Sequence, residues 1–145
     1  MLLGEYHHNI DEKGRLIVPA KLRTELGESY VICRGMDGNL FMYSQIEWNK
    51  FVAQLEKLPQ TDKGTRQFKR FFLGSAMEGS FDKQGRVLVS PALRGHAGLD
   101  KEIVLVGVQD KVELWAKSLW DERNMIQEED LDAIMEHMAT LDIRF

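Results

Sequence analysis

Two short segments of the chain combine an aspartate, a glycine and an arginine at the same spacing. They are Asp11–Arg15 (DEKGR) and Asp82–Arg86 (DKQGR). An aspartate that begins a turn can accept hydrogen bonds from the backbone N–H groups that follow it, and glycine adopts the positive φ of such turns without steric cost. An arginine fork matches a phosphate or the O6 and N7 edge of guanine. The two segments therefore predict paired hairpin turns that bind nucleic acid.

The arginine is the informative residue of each segment. Residues 11–23 (DEKGRLIVPAKLR) and 82–94 (DKQGRVLVSPALR) align without a gap, so that position 11 matches position 82 and position 23 matches position 94. Asp and Gly could recur for the sake of the turn alone, whereas the turn does not require an arginine. Two lysines near the tips add positive charge. The predicted DNA contacts are thus Arg15, Arg86, Lys13 and Lys83, and the predicted turn-supporting residues are Asp11, Gly14, Asp82 and Gly85.

The likeness between the two halves continues beyond these segments, which indicates a tandem duplication. After one inserted residue, RGMDGNLFMYSQIEW (34–48) lines up with VGVQDKVELWAKSLW (106–120). Each repeat predicts a strand, the turn, a second strand ended by Pro19 or Pro91, a short helix, a β-hairpin and a closing helix. A unit of roughly 50 residues buries too little apolar surface to be stable alone, so the two units should share one core.

These patterns predict an α+β chain, mainly β, with pseudo-two-fold symmetry. The predicted divisions are a first repeat at 1–58, a linker with a short helix at 59–74, a second repeat at 75–122 and an acidic amphipathic helix at 123–145. Thr65 should begin the short helix, with its phenylalanines facing inward: Phe68, Phe71 and Phe72. The C-terminal apolar stripe, which is Leu131, Ile134, Met135 and Met138, should pack either on its own domain or on a neighbouring subunit.

The charge of the chain is unevenly distributed. Its net charge is −4, yet residues 121–145 carry −6 and residues 63–94 carry +5. The local field, and not the sum, decides whether a surface attracts phosphate. The acidic total is therefore compatible with DNA binding, and we expect that binding to depend strongly on salt.

Several functional classes are disfavoured by the sequence. No apolar run approaches the roughly 20 residues of a membrane helix, and the N-terminus lacks the pattern of a secretory signal. The single cysteine, Cys33, lies in an apolar run and is interpreted as a core residue. Adjacent His7 and His8 would point to opposite faces of a strand, and His96 and His137 have no partner at metal-ligand spacing. We therefore expect a cytoplasmic protein with no membrane contact.

No sequence feature indicates catalysis. The chain contains no nucleophile elbow, phosphate-binding loop or dinucleotide fingerprint. The expectation is a protein that is not an enzyme and uses no cofactor, metal or small-molecule substrate.

The sequence resembles the MraZ family, which is related to AbrB-type regulators and MazE-type antitoxins. The resemblance rests on an MxxGEYxHxID start, the DxxGR segment that occurs once in each half and the ELW at 113–115. It implies a double-split β-barrel of swapped-hairpin type and subunits assembled into an octameric or dodecameric ring. It also implies association with the nucleoid and repression of a division and cell-wall gene cluster through short direct repeats upstream of its own gene. The family motif falls on Asp11, Arg15, Asp82 and Arg86.

Two other kinds of binding protein are compatible with the same residues. One is an antitoxin-like or ring-forming interaction module without specific DNA readout. Its antitoxin form is disfavoured because the C-terminal segment reads as a patterned helix and not as a disordered tail. The other is an RNA-binding protein, although no exposed aromatic platform for stacking bases is evident.

Overall fold

The computed structural model describes residues 1–144, so Phe145, the last residue of the predicted C-terminal segment 123–145, lies outside the described residues. The elements of the first half are β1 (Leu2–Asn9), β2 (Arg15–Ile17), α1 (Ala20–Leu26), β3 (Ser29–Arg34), β4 (Leu40–Ser44) and α2 (Gln45–Glu56). A connecting helix, α3 (Lys63–Phe72), continues into a 3₁₀ turn at Leu73–Ser75. The second half contains β5 (Met77–Ser80), β6 (Arg86–Leu88), α4 (Pro91–Ala97), β7 (Glu102–Gln109), β8 (Val112–Ala116) and α5 (Lys117–Arg123), and α6 (Glu128–Thr140) follows.

The two repeats are interlocked through an antiparallel sheet of six strands in the order β1-β7-β8-β4-β3-β5. The first strand of each repeat leaves its own unit: β1 pairs with β7 of the second repeat, and β5 pairs with β3 of the first. The hairpins β3–β4 and β7–β8, both predicted, meet in the middle through β4 and β8. The predicted α+β class, with two tandem repeats and flanking helices, is confirmed.

A separate two-stranded ribbon is formed by β2 and β6. Leu16 lies opposite Val87 at its centre, flanked by the pairs Arg15–Leu88 and Ile17–Arg86. The sequence suggested that each turn would carry a ribbon of its own. Instead, apart from one bridge between Ile10 and Leu16, the ladder beyond the turns joins one repeat to the other.

The ribbon also closes the shared core, because alternate residues of a strand point to opposite faces. Its inward side chains, Leu16 and Val87, are buried, and Val18 and Val89 follow them into the same cluster. This cluster contains buried residues from both repeats, including Ile32 and Leu105. The two repeats therefore share one core, as predicted for units of this length.

Local caps fix two of the helix ends. Ser44 caps α2 by accepting a hydrogen bond from the backbone of Glu47, and Gly98 ends α4 in the left-handed conformation. The predicted start of α3 at Thr65 is wrong. The helix begins at Lys63 because the Asp62 carboxylate caps it, accepting bonds from the Thr65 backbone N–H and hydroxyl.

The inward orientation predicted for the α3 phenylalanines is only partly right. Phe72 is buried and Phe71 is half-buried, but Phe68 keeps 39% of its surface exposed. The C-terminal helix α6 likewise leaves Leu131, Ile134 and Met135 exposed, so its apolar stripe does not pack on its own domain. Within residues 1–144, no helix combines the length and the apolarity required to cross a membrane.

Candidate nucleic-acid interface

The first turn is built around the carboxylate of Asp11. Its Oδ1 accepts hydrogen bonds from the backbone N–H of Lys13 (3.0 Å) and of Arg15 (2.8 Å). Backbone bonds from Asp11 N to Arg15 O and from Gly14 N to Asp11 O close the turn. The other carboxylate oxygen, Oδ2, accepts a bond of 2.6 Å from Nε of Arg15. One aspartate therefore fixes both the backbone of the turn and the direction of its arginine.

The second turn repeats this geometry almost atom for atom. Asp82 Oδ1 accepts from the backbone N–H groups of Gln84 and Arg86, each at 2.9 Å, and Oδ2 accepts from Arg86 Nε at 2.7 Å. One contact differs, because Arg86 Nη2 also donates to the Gln84 side chain at 3.3 Å. The first repeat has Lys13 at the position of Gln84, so the two arginines are held alike but not identically.

The aspartates hold the arginines by Nε and leave the terminal nitrogens for another partner. In the described residues, neither Nη atom of Arg15 has a hydrogen-bond partner, and Arg86 uses only the one Nη2 contact. The Arg15 and Arg86 side chains are 36% and 25% exposed. A guanidinium already oriented loses little further conformational freedom when it binds, and its free N–H fork suits a base edge or a phosphate.

Both arginines lie on the outer face of the ribbon, opposite to the buried Leu16 and Val87. The exposed Ile17 and Leu88 lie beside them on that face. Arg15 and Arg86 occupy diagonal positions in the antiparallel ladder, which separates the two residues by roughly 7–8 Å and their Cβ atoms by somewhat less. The structure thus brings together on one surface two side chains that belong to different repeats and are distant in sequence.

The predicted lysines are more loosely placed. Lys13 and Lys83 are exposed at turn tips on opposite ends of the ribbon, because β2 and β6 run antiparallel. They are not equivalent, since Lys83 aligns with Glu12 and Lys13 aligns with Gln84. The first tip is therefore neutral, with Glu12 beside Lys13, whereas the second carries one positive charge.

Two further arginines, Arg23 and Arg94, support the turns across the repeat boundary. Arg94 Nε donates to Val89 O (3.1 Å) and its Nη1 reaches Glu12 O (3.4 Å), so the side chain lies over the first turn. Arg23 Nε donates to Val18 O (2.8 Å), and its guanidinium lies against Gly85 of the second turn. Neither was predicted as a site residue. The signal was present, since these two arginines occupy equivalent positions at the end of the two aligned segments.

Comparisons with known proteins match this duplicated architecture. A family model described as "MraZ protein, putative antitoxin-like" matches residues 1–71 and again residues 72–142. The chain belongs to the MraZ family. A relative from Lactobacillus helveticus named "Transcriptional regulator MraZ" is 50% identical over 143 residues, which are 99% of this chain and 100% of the relative. Proteins of the same name from Ligilactobacillus salivarius and Thermoanaerobacter sp. are 50% and 46% identical over the same shares.

The outer face of the β2–β6 ribbon has the geometry of a binding surface, which agrees with membership of the MraZ family. Among the side chains that the structure describes, no three His, Cys, Asp or Glu residues cluster closely enough to hold a metal ion. His7, on β1, instead forms a hydrogen bond of 2.7 Å with Glu5. The chemistry assembled by the ribbon of this MraZ-family chain is that of oriented cationic donors.

The turn aspartates should titrate below the ordinary carboxyl range. Hydrogen bonds from the backbone N–H of Arg15 and of Arg86 are the main reason that the pKa values of Asp11 and Asp82 lie below 3.8, with the arginine side chains adding to the effect. A depressed folded-state pKa stabilises the protein above the unfolded value, and this contribution is lost as pH falls through the folded-state pKa. Carboxyl NMR titration should therefore find both groups more than half ionised at pH 3.8.

An Arg15→Ala variant tests the order of these causes. The backbone N–H of residue 15 remains in the variant, so the pKa of Asp11 should rise only part of the way to 3.8. A full return to 3.8 would show that the side-chain ion pair, and not the turn backbone, holds the carboxylate ionised. Asp82 in the same sample is the internal reference, because its own arginine is unchanged.

Proposed function

We propose that this chain is a sequence-specific DNA-binding transcription regulator that acts as a repressor. The observation that carries the proposal is the pair of aspartate-fixed arginines on the outer face of one ribbon. The relatives' printed name, "Transcriptional regulator MraZ", supports the regulatory class. The proposed targets are short direct repeats upstream of the chain's own gene, at the head of a division and cell-wall gene cluster. This target and a location at the nucleoid come from the family resemblance.

The spacing of the arginines suits bases that lie two steps apart on a DNA strand. A separation of roughly 7–8 Å between the two residues corresponds to about two base steps of roughly 3.4 Å along a DNA strand. A two-stranded ribbon is one of the elements that the major groove admits. In the proposed complex, Arg15 and Arg86 read guanine edges, and Lys13 and Lys83 contact phosphates on either side.

A ring of subunits, octameric or dodecameric, would explain how an acidic chain binds DNA tightly. Each subunit offers only a small cationic surface: residues 1–120 carry a net charge of +2, and the segment 121–145 carries −6. Neighbouring copies in a ring present the same ribbon repeatedly, which suits direct repeats, and linked weak contacts combine through a high effective concentration.

The alternative is an antitoxin-like or ring-forming interaction module that does not recognise a specific DNA sequence. The matched family is itself described as antitoxin-like. Such a module would still attract DNA through its cations, but it would not distinguish one sequence from another. Sequence discrimination is therefore the property that separates the two functions.

The proposal predicts a large preference for the native repeats. A labelled duplex from upstream of the chain's own gene should bind about a thousandfold more tightly than a duplex of the same length and composition with scrambled repeats. Binding to both duplexes should weaken steeply as salt rises, because phosphate contacts release counterions. Fluorescence anisotropy at several salt concentrations measures both effects. Equal affinity for the two duplexes at every salt concentration would leave only the interaction module.

A further inference from the structure

We infer that α6 docks, through its apolar stripe, into an aromatic groove between α2 and α3 of a second copy of this chain. This inference deepens the assembly part of the proposed function and rests on it, since a helix from one copy seated in a groove of the next is a head-to-tail contact. Contacts of that kind close into rings when the rotation between copies allows it.

The helix α6 has an apolar face that no other part of residues 1–144 covers. Leu131, Ile134 and Met135, spaced three and four residues apart, are between 39% and 47% exposed, and Met138 continues the stripe one turn later. Four apolar residues before and after the helix are also exposed: Met125, Ile126, Leu141 and Ile143. Contiguous exposure of this kind marks an interaction site.

An apolar groove that could receive such a helix lies between α2 and α3. Phe68 and Phe72 of α3 line it together with Phe51 of α2, and the exposed Met36 lies at its rim. The rings are in mutual contact, with centroids of Phe68 and Phe72 4.5 Å apart and those of Phe51 and Phe68 6.4 Å apart. The groove therefore has a firm aromatic floor, and its outer side chains remain open to solvent.

The charges of the two surfaces are complementary. The polar face of α6 is acidic, with five carboxylates: Glu128, Glu129, Asp130, Asp132 and Glu136. The helix beside the groove is basic, with four cations that form no ion pair within residues 1–144: Lys63, Arg66, Lys69 and Arg70. The acidic residues at the groove, Glu47 and Asp110, are already paired with Lys50 and Lys111. Opposite charges steer and orient such a contact.

Charge also selects against the symmetric alternative. Two α6 helices packed stripe to stripe would bring two sets of carboxylates together, which is unfavourable. A helix with an apolar stripe and acidic flanks is instead matched by an apolar groove with basic flanks. The end of α5, just before the segment that leads to α6, is held by a hydrogen bond from Arg123 Nη1 to the carbonyl of Asp37 (3.2 Å).

Mixing two damaged variants tests this head-to-tail contact. The helix variant is Leu131→Glu/Ile134→Glu, which changes exposed positions only, and the groove variant is Phe68→Glu. Met36→Glu is a second groove variant, and because Met36 is 70% exposed it carries little risk to folding. Ile46→Glu, equally exposed but outside the groove, is the matched control. Masses are measured by light scattering without DNA.

The wild type and Ile46→Glu should have the same multi-chain mass, and the helix and groove variants should each have the mass of one chain. An equimolar mixture of the two should yield a species of two chains, because one intact helix then meets one intact groove. The inference is overturned if the mixture stays monomeric, if the variants keep the wild-type mass, or if the wild type is itself monomeric. The last result would mean that α6 folds onto its own groove or binds an unrelated protein. Since no DNA is present, failure here is distinct from failure of sequence-specific binding.

Discussion

Replacing Arg15 and Arg86 together by alanine is expected to abolish the preference for the native repeats. Each arginine that reads a base contributes about 1–3 kcal/mol, so the double variant should lose about 2–6 kcal/mol per subunit, at least about thirtyfold in Kd. Affinity for the scrambled duplex should fall much less, because the tip lysines remain. Anisotropy titrations of both duplexes measure the two losses separately.

The fold should survive this double substitution. The turn backbone is fixed by Oδ1 of Asp11 and Asp82 through N–H groups that alanine retains. The ion pairs lost, at 2.6 Å and 2.7 Å, lie at the surface, where such pairs contribute about 0–1 kcal/mol. The circular dichroism spectrum and the melting temperature should therefore remain close to those of the wild type.

The charge-conserving pair Arg15→Lys/Arg86→Lys is the matched control. Lysine keeps the positive charge and its attraction to phosphate, but it lacks the planar fork and the Nε–H that the aspartate holds. We expect the lysine pair to bind scrambled DNA like the wild type while losing discrimination. Retained discrimination in either double variant would show that sequence is read by other residues.

The largest effect on stability is expected from Gly14→Ala. Gly14 has a φ of +85°, and a Cβ added there would lie 2.5 Å from the backbone oxygen of Val89 in the other repeat. Positive φ costs about 1–2 kcal/mol for an alanine, and the overlap adds roughly 1–3 kcal/mol, because Val89 is itself bonded to the carbonyl of Gly14. Urea denaturation should show a loss of about 3.5 kcal/mol in the free energy of unfolding, the middle of the summed range.

Gly85 and Gly98 provide a graded comparison. At Gly85 the added Cβ meets the guanidinium of Arg23, the end of a flexible side chain that can move, so we expect a smaller loss than at Gly14. At Gly98, φ is +63° and no heavy atom beyond its chain neighbours lies within 4 Å of an added Cβ, so Gly98→Ala should cost only the positive-φ penalty of about 1–2 kcal/mol. Equal losses at Gly14 and Gly98 would mean that the close approach of the repeats is not a constraint.

The sequence by itself determined the duplication, the two turns and the residue types they contain. These are properties of local spacing: Asp, Gly and Arg recur in register in the two halves, and turn chemistry depends on neighbours a few residues apart. The α+β class and both hairpins could be predicted for the same reason, because alternating apolar residues and turn signals are local patterns.

The relation between the repeats was decided only by the tertiary structure. In the structure β1 pairs with β7, β5 with β3 and β2 with β6. The order of these strands along the chain does not determine which of them will pair. That choice places Arg15 and Arg86 on one face and seats Arg23 and Arg94 against the turn of the opposite repeat. Likewise, periodicity showed that α3 and α6 have apolar faces, but only packing showed that the chain leaves Phe68 and Ile134 uncovered. Burial depends on what lies opposite a side chain in space, and a local pattern does not encode it.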